Sequence, residues 1–407
     1  APSPADAVEK ASKSRAAQLA GVLYDCRRGL ASPATPDALT SMINTNVLGA
    51  GAPLTRGVLC VSERHDCFDH HLAQLYTIKQ LRKALRQRED RAQVAVGLEA
   101  FQRIHQTYLD RYVSADPNYG LNELFRDVDW QQTWGYDPLH YAPILEDARR
   151  TGMRLVGLSP PDELLDAVAK AGGVRNLESP LWPFLPEGGV CNDNAPGRVE
   201  RLYGSSVDAE RLTAVQNFRD EYMADAAARH YDAKKTRDGW LVLLAGQRHV
   251  ANRDGLPDRV ARRVARAAST PAHGDAVFRG VHTILPETTN FPVKLACLPS
   301  STYGDVVWLQ PKSADFDPSK VNRAPRPANE SAEFTRTANG KYGKKSRIKQ
   351  RTKMPRRSYA ACYWLAARCV RHRAKYRIAI IARCHQVWKK NLCAQPAATL
   401  RSYAGCI

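Results

Sequence analysis

Four ionisable side chains stand directly after short apolar runs. Glu63 and His65 follow Val58 to Val61, Glu99 closes the run that begins near Gln93, and His249 lies just beyond Trp240 to Ala245. Carboxylate oxygen and imidazole nitrogen are the ligands of Zn, Fe, Mn and Co sites, so two carboxylates and two imidazoles in one crevice would suit a divalent metal. The same set would also suit proton transfer, with a carboxylate as general base and a histidine beside it. Gly246, three residues before His249, would let the backbone turn sharply and let a ligand come close. A single Glu or His after a strand is more often a satisfied polar residue or a helix cap, but three such strand ends together are harder to dismiss. His70 and His71 read as the solvated first turn of a helix. Trp130, Trp134, Tyr136 and Tyr141 read as core aromatics, with a pocket lining as the alternative. There is no phosphate-binding loop, dinucleotide fingerprint or Gly-x-Ser-x-Gly elbow in the chain.

The elements that must position these residues alternate. Gly57 to Glu63, Gln93 to Glu99, Arg154 to Leu158 and Trp240 to Ala245 read as buried strands, and Asp305 to Leu309 as a last one. Helical spacing predicts helices over His70 to Glu89, His140 to Thr151, Asp162 to Ala171, Asp208 to Tyr231 and Leu256 to Ala268. Residues 173–205, rich in Gly, Pro and Asn, read as a long loop or insertion. Strands alternating with helices predict an α/β fold: a mainly parallel sheet covered by helices on both faces. In such a sheet ligands sit outside the carboxyl ends of the strands, where all four residues fall.

The formal net charge of +19 looks like a nucleic-acid signal until it is located. Residues 320–407 hold 22 Lys or Arg against 2 Asp or Glu, while residues 1–319 hold 38 against 39. The part expected to fold is therefore neutral. Five of the ten cysteines lie in each part and no Cys-x-x-Cys occurs, which argues against a disulfide scaffold. No apolar run approaches the ~18–20 residues that cross a membrane.

At the strand ends a family resemblance becomes specific. GVLCVSERHDCFDHH, Gly57 to His71, resembles the opening motif of the ChaN-like haem-binding family of the Tiki superfamily. Ala95 to Val113, Trp134 to Pro161, Asp220 to Ala228, Trp240 to Arg263 and Gly304 to Pro311 are similar to that family's later blocks, in order. The resemblance implies an α/β domain that binds haem, for haem or iron uptake, transport or storage. It implies a plastid location in a plant or alga, and otherwise the periplasm or cell surface. The superfamily also contains Tiki metalloproteases and erythromycin esterases, so a metal-dependent hydrolase using the same crevice is the alternative. By motif, Glu63, His65, Glu99 and His249 carry over as the pocket and catalytic set. Gly246 and His249 carry over as cofactor contacts, and Tyr136 and Tyr141 are the candidates for an axial tyrosine. Ser62 stands where the family has Gly, and Ser159 where Asn is common.

These readings divide the chain into a partly ordered segment 1–53, a ChaN-like domain 54–315 and a basic, disordered tail 316–407. The tail resembles nothing in the family. As a solvated arm it has no function; as a polycation it would contact nucleic acid or anionic membrane. Haem or another small ligand, and a second copy of the chain in a homodimer, are the other expected partners. A tail with 20 excess positive charges over 88 positions repels itself and cannot repay an ordering cost of ~1–2 kcal/mol per residue. Truncation after about Pro318 is expected to leave the melting temperature and ligand affinity nearly unchanged, and to abolish any salt-sensitive binding to nucleic acid or anionic lipid. An insoluble truncated chain would show instead that the tail packs on the domain.

Overall fold

The computed structural model describes residues 21–49, 55–89, 92–190, 198, 209–232, 239–268, 277–289 and 302–311. The basic tail, the first 20 residues and much of the expected insertion lie outside them. The described chain runs β1 (Val22–Asp25), β2 (Leu30–Pro33), α1 (Pro36–Met42) with a π-helical turn after it, β3 (Thr55–Glu63), α2 (Phe68–Gln87), β4 (Val94–Gln102) and α3 (Gln106–Val113). It continues through α4 (Leu121–Asp127), α5 (Trp130–Thr133), α6 (Ala142–Thr151), β5 (Leu155–Ser159), α7 (Asp162–Ala171) and α8 (Ala209–Asp232). It closes with β6 (Trp240–Gly246), the single turn α9 (Gln247–Val250), α10 (Leu256–Ala268), β7 (Val277–Thr289) and β8 (Val306–Pro311). No helix among these residues is long and apolar enough to cross a membrane. Cys26, Cys60 and Cys67 are free, buried thiols.

All eight strands form one sheet, ordered β2-β1-β8-β7-β3-β6-β4-β5. Every pair from β8 to β5 is parallel, and β1 pairs antiparallel with both β2 and β8. The central strands carry unbroken apolar runs, Val58 to Val61 in β3 and Trp240 to Ala245 in β6, because both of their faces are covered. Side chains alternate across the sheet. Val58 and Cys60 face one side with Leu241 and Leu243, against Met223, Ala224 and Ala227 of α8 and Val260 and Val264 of α10. Leu59 and Val61 face the other side with Val242 and Leu244, against Leu75, Ile78 and Leu81 of α2 and Ile144 and Leu145 of α6. The expected α/β architecture is what the chain adopts. Helices α6 and α7 both end on a left-handed glycine, Gly152 and Gly172, which no side chain obstructs.

Three of the eight strands, β1, β2 and β7, are absent from the sequence reading. Strand β7 carries Gly280 and Pro286, and proline removes a ladder donor, so its sequence argues against a place inside a sheet. It nevertheless lies between β8 and β3, with Pro286 opposite Trp308. The β1–β2 hairpin falls in the segment read as partly ordered and caps the β8 edge.

The order places β3, β6 and β4 side by side, with Glu63 and Gly246 in register at their carboxyl ends. On the far side β4 bends against β5, where the register shifts between Leu98 and Gln102. The close approach there needs Gly157, since a Cβ on it would stand 2.4 Å from the Gln102 carbonyl oxygen. Gly157→Ala is expected to cost roughly 1–3 kcal/mol, because backbone rather than a flexible side chain must move; urea unfolding measures it, and an unchanged midpoint would refute the packing argument.

Candidate functional site

Strand β3 delivers Glu63 into a site sealed from water. One oxygen accepts from the Tyr141 hydroxyl at 2.6 Å and meets His65 Nδ1 at 2.8 Å. The other accepts from Gln74 of α2 at 2.7 Å. His71 also points at this carboxylate, 3.4 Å away, while its Nε2 lies 3.2 Å from the His65 carbonyl oxygen. The His140 ring reaches the same carbonyl at 3.3 Å, so two imidazoles from different elements fix the turn that carries His65. The expectation of a solvated His pair fails: His70 and His71 are both buried. His70 accepts from the Arg64 amide through Nδ1 and bonds Thr288 through Nε2.

Strand β4 delivers Glu99, and α9 delivers His249. One Glu99 oxygen meets His249 Nε2 at 3.1 Å and Arg219 at 2.8 Å; the other accepts from the Gly246 amide at 2.7 Å. His249 Nδ1 is bonded to Asp220 of α8, and Asp220 is bonded in turn to the buried Arg198 guanidinium. Gly246 stands between the two halves with φ −55°, open to any residue. Its lack of a side chain serves a different purpose from the expected turn. A Cβ there would lie 2.8 Å from the His65 ring and 3.5 Å from Glu99, so glycine gives His65 its place over the strand end. The structure thus brings Glu63, His65, Glu99 and His249 to one crevice.

Burial raises the Glu63 carboxyl, but His71, His65 and the Tyr141 hydroxyl outweigh it and bring it down to about 2. Burial also lowers His71, while hydrogen bonds from Tyr141 and Gln74 and the contact with His65 converge on the Glu63 carboxylate. Burial is likewise outweighed at Glu99, where His249 and Arg219 hold the carboxyl well below the usual range. It would lower His249 too, but Glu99 and Asp220 raise it to about 9. Both His249 nitrogens face carboxylates, Nε2 that of Glu99 and Nδ1 that of Asp220, an arrangement that favours the doubly protonated ring. No group of three or more His, Cys, Asp or Glu side chains arranged for a metal occurs among the described residues.

The two candidate tyrosines differ. Tyr141 is buried, and its hydroxyl is held by Glu63 and by the Trp134 indole at 3.0 Å. Tyr136 is half-buried at the mouth, its ring centroid 4.9 Å from that of His65. Trp130, Trp134 and Tyr141 belong to the core. The half-buried His140 reaches the His65 carbonyl and its ring centroid lies 5.7 Å from that of half-buried Phe68, with half-exposed Leu139 preceding it in the chain. Ser62, despite replacing glycine, sits in extended backbone with no positive φ. Ser159 donates to the Glu99 carbonyl at 2.6 Å.

Sequence reasoning missed Gln74, Gln216, Arg219, Asp220 and Arg198. A signal existed on α8. Thr213, Gln216, Asn217 and Asp220 recur at three- and four-residue spacing and are all buried, which makes a polar stripe on a core-facing helix side. Arg198 offered no such signal, standing alone in a loop-like stretch.

The family described as haem-binding uptake, Tiki superfamily, ChaN, matches residues 54–260. Among solved structures, one describing cofacial haem binding to ChaN of Campylobacter jejuni is similar at 14% identity, covering 72% of this chain and 97% of that one with a TM-score of 0.49. A mutant of the erythromycin esterase EreC in its open conformation is similar at 15% identity, covering 67% and 78% with a TM-score of 0.30. No curated protein matches.

The paired charges fix a dependence of stability on pH. Glu63 lies at about 2 when folded against about 4.3 unfolded, so its contribution is present above the unfolded value and is lost as pH falls toward 2. His249 is at about 9 when folded against about 6.5 unfolded, so its contribution is complete below the unfolded value and is lost as pH rises through 9. Urea unfolding from pH 2 to 10 should show both limbs, and His249→Gln should flatten the alkaline limb alone. An alkaline limb unchanged in that variant would disprove the ion pairing.

Proposed function

Because the chain belongs to the haem-binding uptake family of the Tiki superfamily, ChaN type, we propose that it binds an iron porphyrin at the mouth of the crevice formed by β3, β6 and β4. A ferric porphyrin needs a nitrogen or oxygen donor for its open axial position and flat apolar surface for its ring. The mouth offers both kinds of chemistry. The observation that carries the reading is the edge made by Tyr136, His65 and His140, half-buried beside half-exposed Leu139. Tyr136 is the axial candidate, since the Tyr141 hydroxyl is sealed between Glu63 and Trp134. Glu63 and Glu99 stay under the mouth, and His249 is committed to two carboxylates. Their part is to hold His65 and the strand ends in place rather than to touch the iron. The bound group would supply iron as a Lewis acid and redox centre; this chain's residues bind and orient it.

One observation favours a second reading, hydrolysis. His65 Nδ1 bonds the buried Glu63 carboxylate while the opposite edge of its ring faces the strand end at Gly246. That is the arrangement of a general base oriented by a carboxylate.

Haemin added to the purified chain should give a saturable Soret shift, and Tyr136→Phe should weaken binding by roughly tenfold or more, about 1.4 kcal/mol, and alter the visible bands. Tyr141→Phe should leave those bands in place. The absence of any saturable shift would sink haem binding. Ester hydrolysis lost in His65→Ala, in a chain that takes no haemin, would favour the second reading.

A further inference from the structure

Five charged groups form one unbroken buried chain behind the crevice: Arg198, Asp220, His249, Glu99 and Arg219. Arg198, Asp220, His249 and Glu99 are each at most 3% exposed, and Arg219 closes the chain from a half-buried position. The chain draws on α8, β4, α9 and the buried Arg198. Asp220 and Arg219 come from α8, Glu99 from the end of β4, His249 from α9, and Arg198 from the stretch between α7 and α8. Its far end is anchored twice more, since Arg198 also bonds Asn217 at 2.9 Å and lies 3.6 Å from Asp254.

We propose that Asp220 and Arg198 are positioning residues of the crevice: by clamping His249 as an imidazolium between two carboxylates, they fix the Glu99 carboxylate across Gly246, opposite His65. The geometry leaves little choice. With Nε2 on Glu99 and Nδ1 on Asp220, His249 offers two donors to two acceptors, and the Gln216 amide, whose nitrogen is placed 2.8 Å from Nδ1, must then turn its oxygen to the ring. A neutral tautomer would set a lone pair against one buried carboxylate. Arg198 then supplies the positive charge that Asp220 needs on its outer oxygen, because a buried carboxylate sharing one cation remains undercompensated. Glu99, held by His249 and Arg219 on one oxygen, is left to take the Gly246 amide on the other. The groups facing His249 are Asp220 and Gln216 from α8 and Glu99 from β4, with His65 over the Gly246 strand end. The two imidazoles of the crevice therefore divide their labour. His249 is a fixed charge that shapes the floor, and His65 is the ring that meets whatever enters.

This inference does not depend on the ligand being haem, and its test uses none. Nitrogen-detected NMR of the histidine rings in the full chain should find both His249 nitrogens protonated throughout pH 6–8. A singly protonated His249 at pH 7 in the wild type would overturn the proposal with no variant needed. Asp220→Asn keeps the shape and removes one carboxylate, so the His249 midpoint should fall by roughly 1–3 pH units and its ring should titrate. Arg198→Met should weaken protection of the Nδ1 proton from exchange, and Arg198→Lys should restore part of it. Arg263→Met supplies the structural control. It removes a neighbouring guanidinium that pairs with Glu221 and Asp225 rather than Asp220, and it should leave His249 doubly protonated. An unshifted His249 in Asp220→Asn, or the same loss of protonation in Arg263→Met, would refute the assignment.

Discussion

Three carboxylates sealed from water at one end of a parallel sheet set the terms for the rest of the molecule. Glu63, Glu99 and Asp220 are each at most 2% exposed. An ionised carboxylate so placed is costly unless cations and hydrogen-bond donors surround it. The surrounding elements supply those partners. Helix α2 brings Gln74 and His71, the turn before α6 brings Tyr141, α9 brings His249, and α8 brings Arg219. The fold thus serves as a frame that converges donors from distant parts of the chain on oxygens that would otherwise be unpaired.

The sheet makes that convergence possible. Parallel strands put all their carboxyl ends on one edge, and β3, β6 and β4 are neighbours there. Gly246 in the middle strand removes the one side chain that would separate His65 from Glu99. The result is two acid–imidazole pairs of different character. The Glu63–His65 pair stands at the mouth among aromatic rings. The Glu99–His249 pair is buried deeper and continues through Asp220 to Arg198.

Much of this was legible in the sequence, and the unread part has definable causes. The apolar runs ending in Glu63, Glu99 and Gly246 marked three adjacent strands, since a strand buried on both faces has nothing but apolar residues to show. Strand β7 was not legible, because Gly280 and Pro286 interrupt it and its place is set by the strands on either side. His70 and His71 misled in the opposite direction. Two histidines opening a charged helix resemble a solvated turn, and only the packing of α2 over the end of β3 buries them.

The sequence by itself determined the α/β class, the near-neutral balance of residues 1–319 against the basic excess of residues 320–407, and the four residues at the strand ends. Each follows from local pattern: the period of the apolar residues, the placement of charge, and the residue that follows a strand. Only the tertiary structure decided which atoms of those residues meet. It committed His249 to two carboxylates, closed Tyr141 and left Tyr136 at the mouth. It also drew in Asp220 and Arg198, which lie 29 and 51 positions from His249 in the chain. The charge state of a buried group depends on neighbours brought by other elements, and no spacing within a single segment records them.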